Sequence, residues 1–400
     1  MGTRRRLALA AGAVGIGAIA AARPALNLAA DVVEGRLNGV HPHDGGPVSE
    51  RALELHASLR IADLHADSLL WGRDLLVRGR RGHLDVPRML EGNVALATLA
   101  AAVKTSRHMN IDENPDRGDD VRLIAMARRW PRETWSSLLA RTLHFATRAR
   151  AFAAASGGTF RIVETREDLA AFLAARTTNP GLAAAILSIE GAHALDDDAA
   201  NVEVVADAGF RMISPAHFFD TAFGGSAHGV RKHGLTDAGR EMIRRMEARG
   251  VILDVAHASE TAIDDALAIA TRPVVASHTG LRGVIDNRRN LPDAQLEGIA
   301  ATGGVVGIGF WDTVTGGTDA ASIARSIAYA VERVGADHVA LGSDWDGAVA
   351  VPFDAAGTGR LTEALLDVGL DEPAIRAVMG ESALRVFAEV LPTGELPAAG

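Results

Sequence analysis

Six imidazole and carboxylate side chains stand at the ends of short apolar runs scattered along this chain. His65 and Asp67 follow Ile61-Ala62-Asp63-Leu64, Glu190 follows Ala185-Ile186-Leu187-Ser188-Ile189, and His257 follows Val251 to Ala256. His278 ends Val274-Val275-Ala276-Ser277, and Asp344 ends Val339 to Ser343. Residues two apart on a strand point to the same side, so His65 and Asp67 can face one cation. Each residue alone has an ordinary explanation. Asp67 ahead of Ser68 can start a helix, Asp344 and Asp346 around Trp345 suit a turn, and Glu190 before Gly191 suits a solvated loop. Six such placements together argue for a metal site. Three histidines and three carboxylates suit zinc, and suit manganese or cobalt almost as well. Two ions fit the inventory better than one, because a single catalytic zinc usually takes three protein ligands. Paired ions sit about 3.5–4 Å apart and share a water, acidified for attack on a polarised carbonyl.

These residues are far apart in sequence, so a fold must gather them. Eight apolar runs alternate with amphipathic stretches, at 61–64, 94–99, 183–189, 210–214, 251–255, 273–277, 304–310 and 339–342. Strands alternating with helices predict an α/β protein with a parallel sheet, and eight of them a (β/α)8 TIM-type barrel. In such a barrel all strand C-termini open on one face, where active sites sit. Thr236–Arg249, Glu260–Ala270 and Ala320–Val334 read as helices, and Asp120–Ala155 as one long helical insertion. The expected organisation is one barrel domain over 51–392, after a Gly-, His- and Pro-containing linker at 31–50 and before a tail at 393–400.

Composition narrows the function. A formal charge of −9 with no long basic run argues against nucleic acid as a partner. The chain has no cysteine, which excludes disulfides, thiolate zinc sites and cysteine nucleophiles. Any metal must be held by His, Asp and Glu. At the start, Thr3-Arg4-Arg5-Arg6 precedes a mild apolar run from Leu7 to Ala22, ended by Arg23 and Pro24. This pattern over 1–30 predicts a signal peptide, which also resembles a twin-arginine export signal, or a membrane anchor. The expected location is periplasmic or otherwise outside the cytoplasm. Ala20-Ala21-Ala22 and Leu28-Ala29-Ala30 are both small enough for cleavage.

Several stretches, in this order, resemble the membrane (renal) dipeptidase family, peptidase family M19, among the metal-dependent amidohydrolase-like barrels. They are Asp63-Leu64-His65-Ala66-Asp67, Ser188-Ile189-Glu190-Gly191, His217-Phe218-Phe219-Asp220, Asp254-Val255-Ala256-His257, Ser277-His278, Arg288-Arg289-Asn290-Leu291-Pro292-Asp293 and Gly342-Ser343-Asp344-Trp345-Asp346-Gly347. The resemblance spans about Ala62 to Phe387. It implies a zinc-dependent dipeptidase with two Zn2+ per chain. His65 and Asp67 would bind one zinc, His257 and His278 the other, and Glu190 would bridge them. Asp344 would complete the first zinc, take a proton from the bridging water and pass it to the leaving amine. His217 would polarise the scissile carbonyl. Arg289, with Arg288 as its rival, would grip the substrate's terminal carboxylate.

His193, His228, His233 and Asp346 read as loop or supporting residues. Some relatives place a tyrosine where this chain reads Gly309-Phe310-Trp311-Asp312, and an asparagine where Ser382 stands. Family members are often homodimers. Two other functions remain open at this point: an amidohydrolase acting on N-acyl amino acids, lactams or lactones through the same metal site, and an exported binding protein with a vestigial site.

Overall fold

The computed structural model describes residues 27–42 and 46–394. The apolar run at 7–22 and its basic start lie outside the described residues, as does the tail from 395. Among the described residues no helix is long and apolar enough to cross a membrane.

Among the described residues, nine parallel strands form the centre: β1 Ile61–Ala66, β2 Val94–Ala101, β3 Phe160–Ile162, β4 Ala183–Ile189, β5 Phe210–Ile213, β6 Ile252–Leu253, β7 Val275–Thr279, β8 Val305–Ile308 and β9 Val339–Leu341. The hydrogen-bonded order is β6-β5-β4-β2-β1-β9-β8-β7, with β3 pairing outside it on β4. The ring closes between β6 and β7, where Asp254 bridges Val275 and the Val255 amide donates to the Val275 carbonyl at 2.7 Å. Eight strands therefore make the barrel, each arising from one of the eight apolar runs. Every residue of β1, β2 and β4 is buried. That is the expected fate of a parallel strand covered on both faces, and it explains why the runs are continuous in Ala, Val, Leu and Ile rather than alternating.

The helices form where caps and periodicity agree. Asp237–Ala248 begins at Thr236, whose hydroxyl accepts from the Gly239 amide at 3.1 Å. It buries Met242, Ile243 and Met246 and leaves its arginines outward. The last helix, Ser382–Val390, packs Leu384, Val386, Phe387 and Val390 in one cluster with Leu96, Ile186, Met212 and Val305 from the strands. Ser382 is buried there and donates to the Ala336 carbonyl at 2.9 Å, joining two segments at that end of the barrel.

Three expectations need correction. The insertion at 120–155 is not one helix: it splits into Asp120–Ala127, a short turn Arg132–Trp135 and Leu138–Ala155. Arg129 turns left-handed at φ 56° and Pro131 follows, so the first helix cannot continue, and Ser137 caps the next. Strand β3 was not expected; three residues with Arg161 exposed carry no strand signal of their own. Part of the range expected as a linker, 31–50, is tied to the barrel: residues 27–37 are helical, Glu34 and Asn38 are buried, and Val40 bridges Val351.

Candidate metal centre

The barrel brings all eight candidate site residues to one place. His65 is on β1 and Asp67 just past it; Glu190 follows β4, His217 follows β5, His257 follows β6, His278 lies on β7, Arg289 is on the loop after β7, and Asp344 follows β9. All eight are buried, with exposures between 1% and 7%. Glu190 is the hub. Its Oε1 lies 3.1 Å from His257 Nε2, 3.3 Å from His278 Nε2 and 3.6 Å from His65 Nε2. Its Oε2 lies 3.4 Å from His217 Nε2. Three sets of ligand atoms gather within 4.8 Å of one another: His65, Glu190 and His278; Glu190, His217 and His257; and His65, Asp67 and Asp344.

Elements outside these residues set their orientation. Asp254 accepts from Ser277 Oγ at 2.7 Å and from the Ser277 amide at 2.9 Å. With its proton committed to Asp254, Ser277 Oγ accepts from His278 Nδ1 at 2.9 Å. That assigns the tautomer: His278 Nε2 is a bare lone pair facing Glu190. On the other side, Asp63 accepts from the His65 amide at 3.1 Å and the Ser343 amide at 2.9 Å, tying the β1 and β9 ends together. His257 and Asp344 both sit in the left-handed region, at φ 63° and 59°. For non-glycine residues such backbone costs roughly 1–3 kcal/mol and persists where surrounding structure imposes it.

The electrostatics are those of a site built for a cation. Burial and the charge of Asp67 push the Glu190 carboxyl well above the usual range, against the pull of His65. Burial likewise carries Asp344 up to about 8, despite His65. Burial disfavours the His65 imidazolium, but Glu190, Asp67 and Asp344 overcome it and lift its pKa to about 10. Burial and the nearby positive charge of Arg289 hold His257 and His278 well below their ordinary value. Among the described residues, His65 Nε2 and Asp67 Oδ1 are buried without a hydrogen-bond partner. Neutral imidazoles, crowded carboxylates and unpartnered buried polar atoms are the set that a divalent cation satisfies once the ligands deprotonate, and nitrogen with oxygen suits zinc.

Arg289 and Arg288 part company here. Arg288 is exposed, whereas Arg289 is buried, donates through Nη2 to the His278 carbonyl and lies 3.4 Å from His257 Nε2. A cavity of about 380 Å³ opens beside the centre, lined by Phe218, His257, Arg289, Trp311, Asp344 and Gly347 among others. Trp311 stacks under Arg289, its ring centre 5.5 Å from the guanidinium carbon.

The family model for membrane dipeptidases (peptidase family M19) matches residues 49–395. The chain belongs to this family. It is a metal-dependent dipeptidase. Dipeptidase tcpJ of Claviceps purpurea is 27% identical over 320 residues, covering 77% of this chain and 69% of that protein. A metallopeptidase of Rhodobacter sphaeroides, solved with a phosphinate mimic of the dipeptide L-Ala-D-Ala, matches with a TM-score of 0.67 at 25% identity, covering 83% of this chain and 99% of that one. The probable dipeptidase PvdM of Pseudomonas aeruginosa shares the fold, with a TM-score of 0.71 at 20% identity over 86% of this chain and 98% of that one.

In this dipeptidase the residues that support the site carry weaker sequence signals than the site itself. Asp63 sits inside an apolar run and reads as a strand residue; Asp254 and Ser277 look like strand ends. Only the presence of a buried carboxylate two residues ahead of His65, and of another three ahead of His257, could have flagged them. His228, read as a supporting residue, is buried against Phe218 and His257, at ring-centre distances of 4.8 and 5.3 Å. His233 lies apart and meets the Gly234 carbonyl at 2.8 Å. A Cβ at Gly347 would stand 1.8 Å from Asp344 Oδ1 and 3.0 Å from Asp67 Oδ2. Gly347→Ala is therefore expected to displace the Asp344 carboxylate and cut kcat by about 10²-fold or more, as ångström-scale misplacement at an active site does. Unchanged kinetics in a folded Gly347→Ala protein would show that the loop yields freely.

Proposed function

We propose that this enzyme hydrolyses dipeptides with two zinc ions, held by His65, Asp67 and Asp344 on one side and His257 and His278 on the other, with Glu190 between them. The observation that carries the reading is Glu190 Oε1, which lies within 3.6 Å of the Nε2 atoms of three histidines from three strands. Ions bound there would supply Lewis acidity and an acidified water. The chain's own groups do the rest. Arg289 pairs with the free C-terminal carboxylate and so sets where the substrate ends. His217, kept neutral by burial and the neighbouring positive groups, donates a hydrogen bond to the scissile carbonyl oxygen. Asp344 takes a proton from the attacking water and delivers it to the leaving amine. The basic start and apolar run at 1–30 support export, with retention or cleavage decided by fractionating the full chain.

Purified protein is expected to carry about two zinc ions, to cleave small dipeptides such as Gly-Leu or L-Ala-D-Ala, and to lose activity to a chelator. Zinc-loaded protein that cleaves none of a broad dipeptide panel would remove this reading. Loading has a pH signature as well. Without a cation, His65 keeps its proton below about 10 and Asp344 below about 8. Ligation needs both deprotonated, so zinc uptake at neutral pH should release protons, and zinc affinity should climb as pH rises. Calorimetry in buffers of different ionisation enthalpy reads the released protons directly; zero release contradicts the assignment.

A further inference from the structure

We propose that residues 34–41, which lie upstream of the family-matched region, form a brace for the loop carrying Asp344, with Glu34 as its positioning residue. The matched region begins at 49, so this segment lies outside it. Glu34 is wholly buried, and its carboxylate pairs with the Arg73 guanidinium. The same guanidinium reaches Asp346, also wholly buried, through Nη2. Arg73 is thus held between two carboxylates, one on the N-terminal segment and one two residues past Asp344.

Asp346 spends its remaining capacity on the loops around the centre. It accepts from Ser68 Oγ, beside Asp67, and from the His83 amide at 2.7 Å, while its own amide donates to His83 Nδ1 at 3.0 Å. The brace then grips the far end of the same loop. Asn38 Oδ1 accepts from the Ala348 amide at 2.8 Å, and Ala348 stands at φ 63°. The Gly39 carbonyl accepts from the Val351 amide at 2.9 Å and from His83 Nε2 at 3.0 Å. The His41 amide donates to the Val351 carbonyl at 2.8 Å.

The reason for such bracing is visible in the loop. Asp344, Asp346 and Ala348 all adopt left-handed backbone, at φ 59°, 67° and 63°. Three strained residues in five relax unless something outside the loop holds them. Helix 27–37 supplies the anchor, and Asp31 adds a pair to Arg81 at 2.9 Å.

The role of Asp344 rests on the proposed function; the position of its loop does not, and the test separates the two. In the full-length chain, Glu34→Gln keeps the shape and removes the charge that holds Arg73. Hydrogen exchange of the metal-free protein is expected to speed up about tenfold or more at the amides of 344–348 while β4 stays protected. Zinc affinity, read by chelator competition, is expected to fall about 10- to 100-fold, and kcat on Gly-Leu to fall more than KM rises. Exchange at 344–348 unchanged, or faster everywhere alike, overturns the brace. Zinc binding and turnover absent from the unaltered protein, with local exchange still responding to Glu34→Gln, overturn the metal reading and keep the brace. Should Glu34→Gln fail to fold, Asn38→Ala removes only the Ala348 contact and is judged by the same exchange result.

Discussion

Glu190→Gln is expected to abolish turnover, lowering kcat by about 10³-fold or more, because groups acting as a unit fail together when one is removed. The amide keeps the size of the carboxyl but offers one neutral oxygen to the three histidines that converge on it. Zinc content should drop with activity. Stability should move the other way. In the metal-free fold, burial and Asp67 raise the Glu190 carboxyl well above its ordinary range. Its ionised form therefore weakens the metal-free fold at pH above its unfolded value, and the amide removes that conflict. Metal-free Glu190→Gln should thus melt at or above the temperature of the unaltered protein, while the metal-loaded comparison reverses. A variant that retains its zinc and its turnover would show that Glu190 is not the shared ligand.

Arg289→Ala is expected to lower kcat/KM on a dipeptide by about 10²–10³-fold, the usual cost of deleting one partner of a buried charge-assisted pair. The diagnostic is a second substrate. A dipeptide C-terminal amide lacks the carboxylate, so the unaltered enzyme should handle it poorly and Arg289→Ala should handle it no worse. Equal losses on acid and amide would place Arg289 in structural support instead, through its bond to the His278 carbonyl. Arg289→Lys should recover only part of the loss, because an ammonium cannot make the planar two-point contact.

Much of this was legible from sequence because barrel chemistry is written at strand ends. His65, Glu190, His257, His278 and Asp344 each close an apolar run, and the parallel fold carries all such ends to one face. The helix at 320–334 was legible for a similar reason: it has one periodic face and a capping Asp319. What stayed hidden depends on contacts distant in sequence. Nothing local tells Arg289 from Arg288; only the three-dimensional turn buries one and exposes the other. Asp254 and Ser277 are ordinary strand residues until β6 and β7 lie side by side. The range 31–50 looked like a linker because Asn38 to Pro47 is rich in Gly, His and Pro, whereas the contacts of 34–41 come from Arg73, His83 and Val351, which are brought from elsewhere in the chain.

The β6–β7 junction has a further meaning. Strand β6 is two residues long, and the ring is completed there by the single bridge from Asp254 to Val275. His257 and His278 stand on either side of this seam, their Nε2 atoms 2.9 Å apart. A cation shared with these two imidazoles would act as a rivet across the thinnest joint of the wall. Assembly of the catalytic centre and final closure of the barrel would then be one event, and the metal-free protein would breathe first at this joint.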